Sequence, residues 1–147
     1  MNRIVKPINI KTHKNNITAN EKRFHGTHVA GIVIGKANNN FGVSGVAPDC
    51  SFMPIQISEN NQVFTSSDII DGILYAVRNG ADVINLSLGK YFSDEVKNLS
   101  LQKQKELAKQ TGKDEAEFWD ELFNYAEKEN TLVVIASGNQ HIIVGLD

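Results

Sequence analysis

The sequence has only one cysteine and almost no net charge. Cys50 is the only cysteine in 147 residues, which excludes an internal disulfide and a zinc site built on several thiolates. The formal net charge is −2, with neither a basic excess nor an acidic tail. We therefore expect no nucleic-acid partner.

Long apolar runs are missing as well. No stretch approaches the roughly 18–20 apolar residues that span a bilayer, so we expect no membrane partner. Residues 1–16 lack the apolar core that is typical of a secretory signal. Apolar residues make up 41% and charged residues 22% of the chain, a composition typical of one globular domain that is large enough to bury a core.

Three short runs are continuously apolar, as in parallel strands that are buried on both faces: residues 52–57, 82–88 and 131–137. Apolar residues at helical spacing separate the first two runs. They predict a helix that is capped by Ser66 or Ser67 and ends before Gly80. Strand, helix and strand predict a βαβ unit, and the whole pattern predicts an α/β layered domain.

The stretch between the second and third strands predicts two different structures. Residues from about 90 to 113 are mostly polar, which predicts a surface insertion, partly helical, that ends at Gly112. Residues 114–128 predict an amphipathic helix, with acidic residues near its start. Its buried stripe is expected to consist of Phe118, Trp119, Leu122, Phe123 and Ala126.

The first candidate for chemistry is HGTHVAG, residues 25–31. His25 stands before a run of small and apolar residues, which suits a catalytic base whose helix packs tightly behind it. Taken alone, the motif fits a helix-capping histidine equally well. A zinc site on His25 and His28 would need further ligands, and the remaining histidines and Cys50 form no short motif with this pair.

Two strand ends are further candidates, because α/β sheets carry their sites at the carboxyl ends of strands. Asn139 follows the third apolar run, and its amide could donate to a developing oxyanion or simply stabilise a turn. Residues 85–89, NLSLG, end the second run in backbone that could pair with an extended peptide.

Four segments together resemble the subtilases, the subtilisin-like serine proteases. They are HGTHVAG (25–31), NNNFGVSGVAP (38–48), ADVINLSLG (81–89) and VVIASGN (133–139), in family order over about 115 residues. The resemblance implies that residues 1–147 are part of a peptidase domain. It also implies an α/β, subtilisin-like layered fold with a mostly parallel sheet and flanking helices, here incomplete.

The resemblance also implies roles for particular residues. His25 corresponds to the general base and Asn139 to the oxyanion-hole side chain. Ser87, Leu88 and Gly89 correspond to the backbone strip that binds a protein or peptide substrate, and residues 62–64 to the opposite edge of the cleft. The reaction would be peptide-bond hydrolysis through an acyl-enzyme, which requires no cofactor.

Calcium and export are implied for the parent protein only. Residues 37–43 match a calcium-binding loop of the family, in which Asn39 would be the side-chain ligand. Subtilases are commonly exported, which favours a secreted or periplasmic parent, although these residues themselves leave the compartment unknown.

The chain departs from the family at the catalytic triad. No aspartate precedes His25, and no serine stands in a GTSMA-like motif within the eight residues after Asn139 or elsewhere. We therefore expect the chain to be inactive alone. The alternative is a non-catalytic, degenerate subtilase that acts as a peptide-binding or regulatory module.

The missing aspartate-bearing strand predicts a structural consequence. In the family it lies between the strands that match residues 52–57 and 82–88, whereas residues 3–10 resemble the strand on the other side. Unpaired backbone and apolar surface at the empty position predict self-association, pairing with the missing part of the domain, or marginal stability.

Overall fold

The computed structural model describes residues 3–17, 24–58, 63–89 and 92–139. The chain divides into two compact units, residues 1–81 and 82–147. Within the described residues, each unit contains one parallel pair of strands and two α-helices. This composition confirms the predicted α/β class.

The first unit is built on two short strands, β1 (Ile8–Asn9) and β2 (Ile55–Gln56), which pair in parallel. A parallel bridge between Ile4 and Phe52 extends the pairing toward the N-terminus. Proline lacks the N–H that a strand ladder needs, and Pro54 interrupts the strand predicted over 52–57. Residues 3–10 do pair beside that strand, as expected.

The two helices of the first unit are α1 (His25–Ile34) and α2 (Ser66–Arg78). Helix α2 buries Ile73, Ala76 and Val77. It packs closely on β2, since a Cβ added at Gly72 would lie 3.3 Å from Cγ2 of Ile55. The spacing therefore predicted this helix and its buried face correctly.

Basic side chains of the N-terminal segment hold the carboxyl ends of both helices. An Nη atom of Arg3 donates to the carbonyl of Ile34, the last residue of α1, at 2.9 Å. Lys6 Nζ donates to the carbonyl of Asn79, just after α2, at 2.7 Å. Cations at these positions satisfy carbonyls without helical partners and complement the helix dipole.

The second unit contains the parallel strands β3 (Val83–Leu86) and β4 (Leu132–Ile135), paired along their whole length. Between them in sequence lie a short 3-10 helix (Val96–Asn98), α3 (Leu101–Gly112) and α4 (Ala116–Lys128). Helix α3 ends at Gly112 as predicted. Strands β2 and β3 do not pair with each other in the described part of the chain, in line with the strand that is expected to be missing between them.

The burial predicted for the second unit is partly wrong. Ile84 is buried, but Val83 is 59% and Leu132 62% exposed, so β3 and β4 are not covered on both faces. In α4, Leu122 and Ala126 are buried, whereas Phe118 is half-exposed. Apolar composition predicts a strand or helix face, but the elements that cover it decide its burial.

Among the described residues, none forms a helix that is both long and apolar enough to cross a bilayer.

Candidate active site

His25 is the first residue of α1, and Phe24 occupies the N-cap position. Phe24 makes no side-chain hydrogen bond to the helix start, although its carbonyl accepts from the backbone N–H of His28 at 2.8 Å. The His25 side chain is exposed. The interpretation of His25 as a capping residue is therefore wrong, because the cap position belongs to its neighbour.

Helix α1, which begins with His25, is open along its length. No residue of the helix is buried, and Ile32 is half-exposed. A Cβ added at Gly26 or Gly31 would meet nothing within 4 Å. The tight packing that the small residues predicted is thus not found among the described residues.

The carboxyl end of α1 is fixed by the loop that contains the second family motif. The backbone N–H groups of Val46 and Ala47 donate to the carbonyls of Ile32 and Val33, at 3.0 and 2.8 Å. These bonds satisfy carbonyls in the last turn, which otherwise have no helical partner. The loop thereby holds the helix that presents His25.

Asn39 lies at the exposed tip of the same loop. Its Oδ1 accepts from the backbone N–H of Phe41 at 3.0 Å. Calcium takes six to eight oxygen ligands, and zinc usually needs at least three protein ligands. In the part of the chain that the structure describes, no three His, Cys, Asp or Glu residues group around a metal position. The described residues therefore show no cluster of the kind that zinc needs, whereas a calcium site at Asn39, which could use amide and backbone oxygens, stays a prediction.

The predicted substrate strip and the predicted oxyanion residue lie at one edge of the second unit. Ser87, Leu88 and Gly89 follow β3, while Asn139 follows β4 and is exposed. Beyond the last paired residues, the N–H of Ala136 still donates to the carbonyl of Leu86 at 3.1 Å. Because the strands are parallel and in register, both segments leave the sheet at its carboxyl edge.

The backbone at this edge turns away from strand geometry. Gly138 has φ +92°, a conformation that favours glycine. The backbone therefore bends at Gly138, and Asn139 does not continue the strand. The side-chain amide of Asn85 donates to Oγ of Ser87 at 2.9 Å, which fixes the start of the strip. His25 belongs to the first unit, whereas these residues belong to the second.

A polar cluster that was not predicted from the sequence lies at the start of α2. The N-cap is Thr65, not Ser66 or Ser67, and Asp68 completes a capping box with it. Lys11 Nζ lies 2.6 Å from Oδ2 of Asp68. The Thr-Ser-Ser-Asp spacing is the local signal that could have identified the cap.

Lys11 also changes the acidity of this cluster. Its hydrogen bond to Asp68 is the main cause that lowers the pKa of the Asp68 carboxyl below the ordinary value. The backbone N–H of Thr65 donates to the same carboxylate and lowers the pKa further, whereas burial opposes both effects.

The cluster directly follows Val63 and Phe64, which belong to the predicted opposite edge of the cleft. Gln62, the other member of that edge, lies outside the described residues.

Comparison with known proteins identifies the family. The model of the Subtilase family matches residues 5–146, and the chain belongs to this family of serine peptidases.

Individual relatives agree with this assignment. Thermitase of Thermoactinomyces vulgaris is 34% identical over 125 residues, which is 85% of this chain and 37% of thermitase. The thermophilic serine proteinase of Bacillus sp. (strain AK1) is 49% identical over 65 residues, or 44% of this chain and 16% of that protein. The chain therefore spans well under half the length of these relatives.

A solved structure supports the fold. A serine-to-alanine mutant of the protease domain of PatA superimposes with a TM-score of 0.58, over 92% of this chain and 42% of that chain, at 24% sequence identity. The subtilisin-like α/β fold predicted from the sequence is thereby confirmed, in a partial form.

Proposed function

We propose that this chain supplies the general base and the oxyanion-hole donor of a subtilisin-like serine endopeptidase. His25 accepts the proton of the nucleophilic serine and passes it to the leaving amine. Membership of the Subtilase family over residues 5–146 is the observation that carries this proposal. The exposed position of His25 at the start of α1 supports it, because a base must be accessible to the substrate.

The substrate in this proposal is an extended protein or peptide chain. Its backbone pairs with Ser87, Leu88 and Gly89, and the Asn139 amide donates to the oxyanion that forms at the scissile carbonyl. The common position of these residues at the carboxyl edge of β3 and β4 supports this assignment. Acyl transfer by serine and histidine needs no cofactor. In a parent protein that binds calcium, Asn39 would be the side-chain ligand of the ion.

We further propose that the chain alone does not hydrolyse peptides. Its 147 residues contain no aspartate before His25 and no serine in a GTSMA-like motif. In subtilisin, losing the serine or the histidine alone lowers kcat about as much as losing the whole triad. A base without its nucleophile therefore contributes almost nothing to the rate.

A chimera tests the proposal. The stretch of thermitase that matches this chain is replaced by the chain itself, and folding is checked first by circular dichroism and cooperative melting. We expect hydrolysis of a peptide substrate, with kcat lowered roughly 10⁴-fold or more by His25→Ala. Asn139→Ala should lower kcat about 10²–10³-fold, the loss that follows removal of such a donor in subtilisin. His28→Ala, on the same helix, is the matched control and should retain activity.

The alternative function is a non-catalytic module that binds peptides. The backbone of residues 87–89 at the carboxyl end of β3 could bind an extended peptide without any chemistry. A chimera that folds but does not hydrolyse peptides, together with a chain that binds them, would support this alternative and contradict the proposed one.

A further inference from the structure

The carboxyl end of α2 carries the one Asn-Gly pair of the sequence, Asn79 and Gly80. In such a pair, the backbone nitrogen of the glycine can attack Cγ of the asparagine side chain, and the missing Cβ of glycine leaves that approach unhindered. Ammonia leaves, a five-membered succinimide ring forms, and water opens the ring to aspartate or isoaspartate. The two atoms that would react here are N of Gly80 and Cγ of Asn79.

The helix end holds the attacking nitrogen in another contact. The backbone N–H of Gly80 donates to the carbonyl of Val77 at 3.0 Å, and that of Ala81 donates to the carbonyl of Ala76 at 3.1 Å. This pair of bonds is a Schellman motif, and Gly80 takes its left-handed position with φ +79°. The helix end therefore needs the same glycine that makes Asn79 reactive.

The conformation of Asn79 keeps its side chain away from that nitrogen. Nδ2 of Asn79 donates to the carbonyl of Tyr75 at 2.8 Å, and the backbone carbonyl of Asn79 accepts from Nζ of Lys6 at 2.7 Å. The ring can close only when the Gly80 nitrogen nearly eclipses Cβ of Asn79 about the Cα–C bond. At ψ 8°, the backbone nitrogen of Asn79 occupies the eclipsed position instead, so that Cβ is rotated well away.

We propose that Asn79 is a deamidation site that the folded end of α2 protects. Opening of this end breaks the bond between Gly80 and Val77 and frees the rotation about ψ of Asn79. The ring then closes with loss of ammonia, and solvent water, which reaches the exposed Gly80, hydrolyses it. Neither step depends on the proposed peptidase function.

The product weakens the structure that protected the asparagine. A carboxylate at position 79 has no N–H to donate to the carbonyl of Tyr75. It also places negative charge at the carboxyl end of α2, where the helix dipole disfavours it. Isoaspartate adds a methylene group to the backbone between the helix and Gly80, which disturbs the Schellman bonds. Conversion therefore favours the open form.

Mass spectrometry of the 147-residue chain tests the proposal. The chain is incubated at mildly alkaline pH in buffer, where circular dichroism checks folding, and in urea, and the peptide that contains Asn79 is followed over time. Conversion replaces –NH2 by –OH, which changes the mass, and isoaspartate elutes separately. We expect conversion in urea to be at least about tenfold faster than in buffer, because the open form is the one that reacts.

Asn130 provides an internal control, because it also follows a helix but precedes Thr131, whose branched side chain hinders the attack. It should convert slowly in both solutions. Equal rates at Asn79 in urea and in buffer that keeps the chain folded would overturn the protection. No conversion at Asn79 in urea would overturn the site itself.

Lys6→Met tests whether the helix end is the protecting element. The substitution removes the bond from Nζ to the carbonyl of Asn79 and should raise the rate in buffer about threefold, while the rate in urea stays the same. Lys14→Met is the matched control, because Lys14 is an exposed residue of the same N-terminal segment, and it should leave both rates unchanged. If Lys6→Met converts no faster in buffer than Lys14→Met, the end of α2 does not protect Asn79 and the proposal fails.

Discussion

Gly45 donates its backbone N–H to the carbonyl of Gly35 at 2.8 Å, and neither residue has room for a side chain. A Cβ added at Gly35 would lie 2.5 Å from the carbonyl oxygen of Gly31 and 2.7 Å from that of Val43. The close approach of two backbones therefore explains both glycines, and it joins the His25 helix to the loop of residues 38–48.

Alanine substitutions should have opposite effects at two glycines of this region. Gly35→Ala should lower the free energy of unfolding by about 1–3 kcal/mol, because backbone atoms must move to admit the methyl group. Gly31→Ala should raise it by about 0.5–1 kcal/mol, since the space beside Gly31 is open and alanine favours the helix. Urea denaturation measures both values. Equal effects at the two sites would contradict the close approach.

Asp68→Asn should also destabilise the chain, by about 1–2 kcal/mol at neutral pH. The substitution weakens the capping box and leaves Lys11 without its charged partner. Asp94→Asn, in an exposed pair, should change stability by less than about 0.5 kcal/mol. If Asp94→Asn lowered the free energy of unfolding as much as Asp68→Asn, the ion pair of Asp68 with Lys11 would contribute no more to stability than an exposed ion pair.

The difference between wild type and Asp68→Asn should depend on pH. The folded-state pKa of Asp68 lies below the ordinary value of about 3.9, so the carboxylate stabilises the fold fully above that value. This contribution is lost as the pH falls through the folded-state pKa. Urea midpoints of the two proteins should therefore converge on acidification, and a constant difference down to the lowest pH would contradict the assignment.

The exposed apolar surface of β4 should promote self-association. Leu132, Val134 and Ile135 are each about half-exposed. Apolar strand surfaces of this kind commonly mark interfaces. Sedimentation velocity should show a concentration-dependent rise in mass that Val134→Lys reduces. Gln110→Lys, on the exposed side of α3, is the control for added charge, and a monomer at all concentrations would contradict this prediction.

The sequence was most informative where signals were local. Helical spacing predicted α2, and the polar stretch that ends at Gly112 predicted the end of α3. The cap at Thr65 was missed because two adjacent serines satisfied the same rule, although only threonine has Asp68 three positions later.

Long-range features could not be predicted in the same way. No local pattern connects Lys11 with Asp68, or Arg3 with the end of α1, because these contacts depend on how the strands pair. Burial was predicted too generously for β3 and β4 for a related reason. Their apolar residues identify strands, but the surrounding elements determine whether those strands are covered. The roles of His25, Asn139 and residues 87–89 remain predictions from the family motifs.

We propose that this chain carries a catalytic base without its nucleophile. Treating the purified 147-residue chain with a fluorophosphonate probe and measuring its intact mass tests this, with thermitase labelled in parallel. We expect no stoichiometric adduct on the chain and complete labelling of thermitase. A stoichiometric adduct on one serine of the chain would show a complete nucleophilic site and would rule out the proposed incomplete triad.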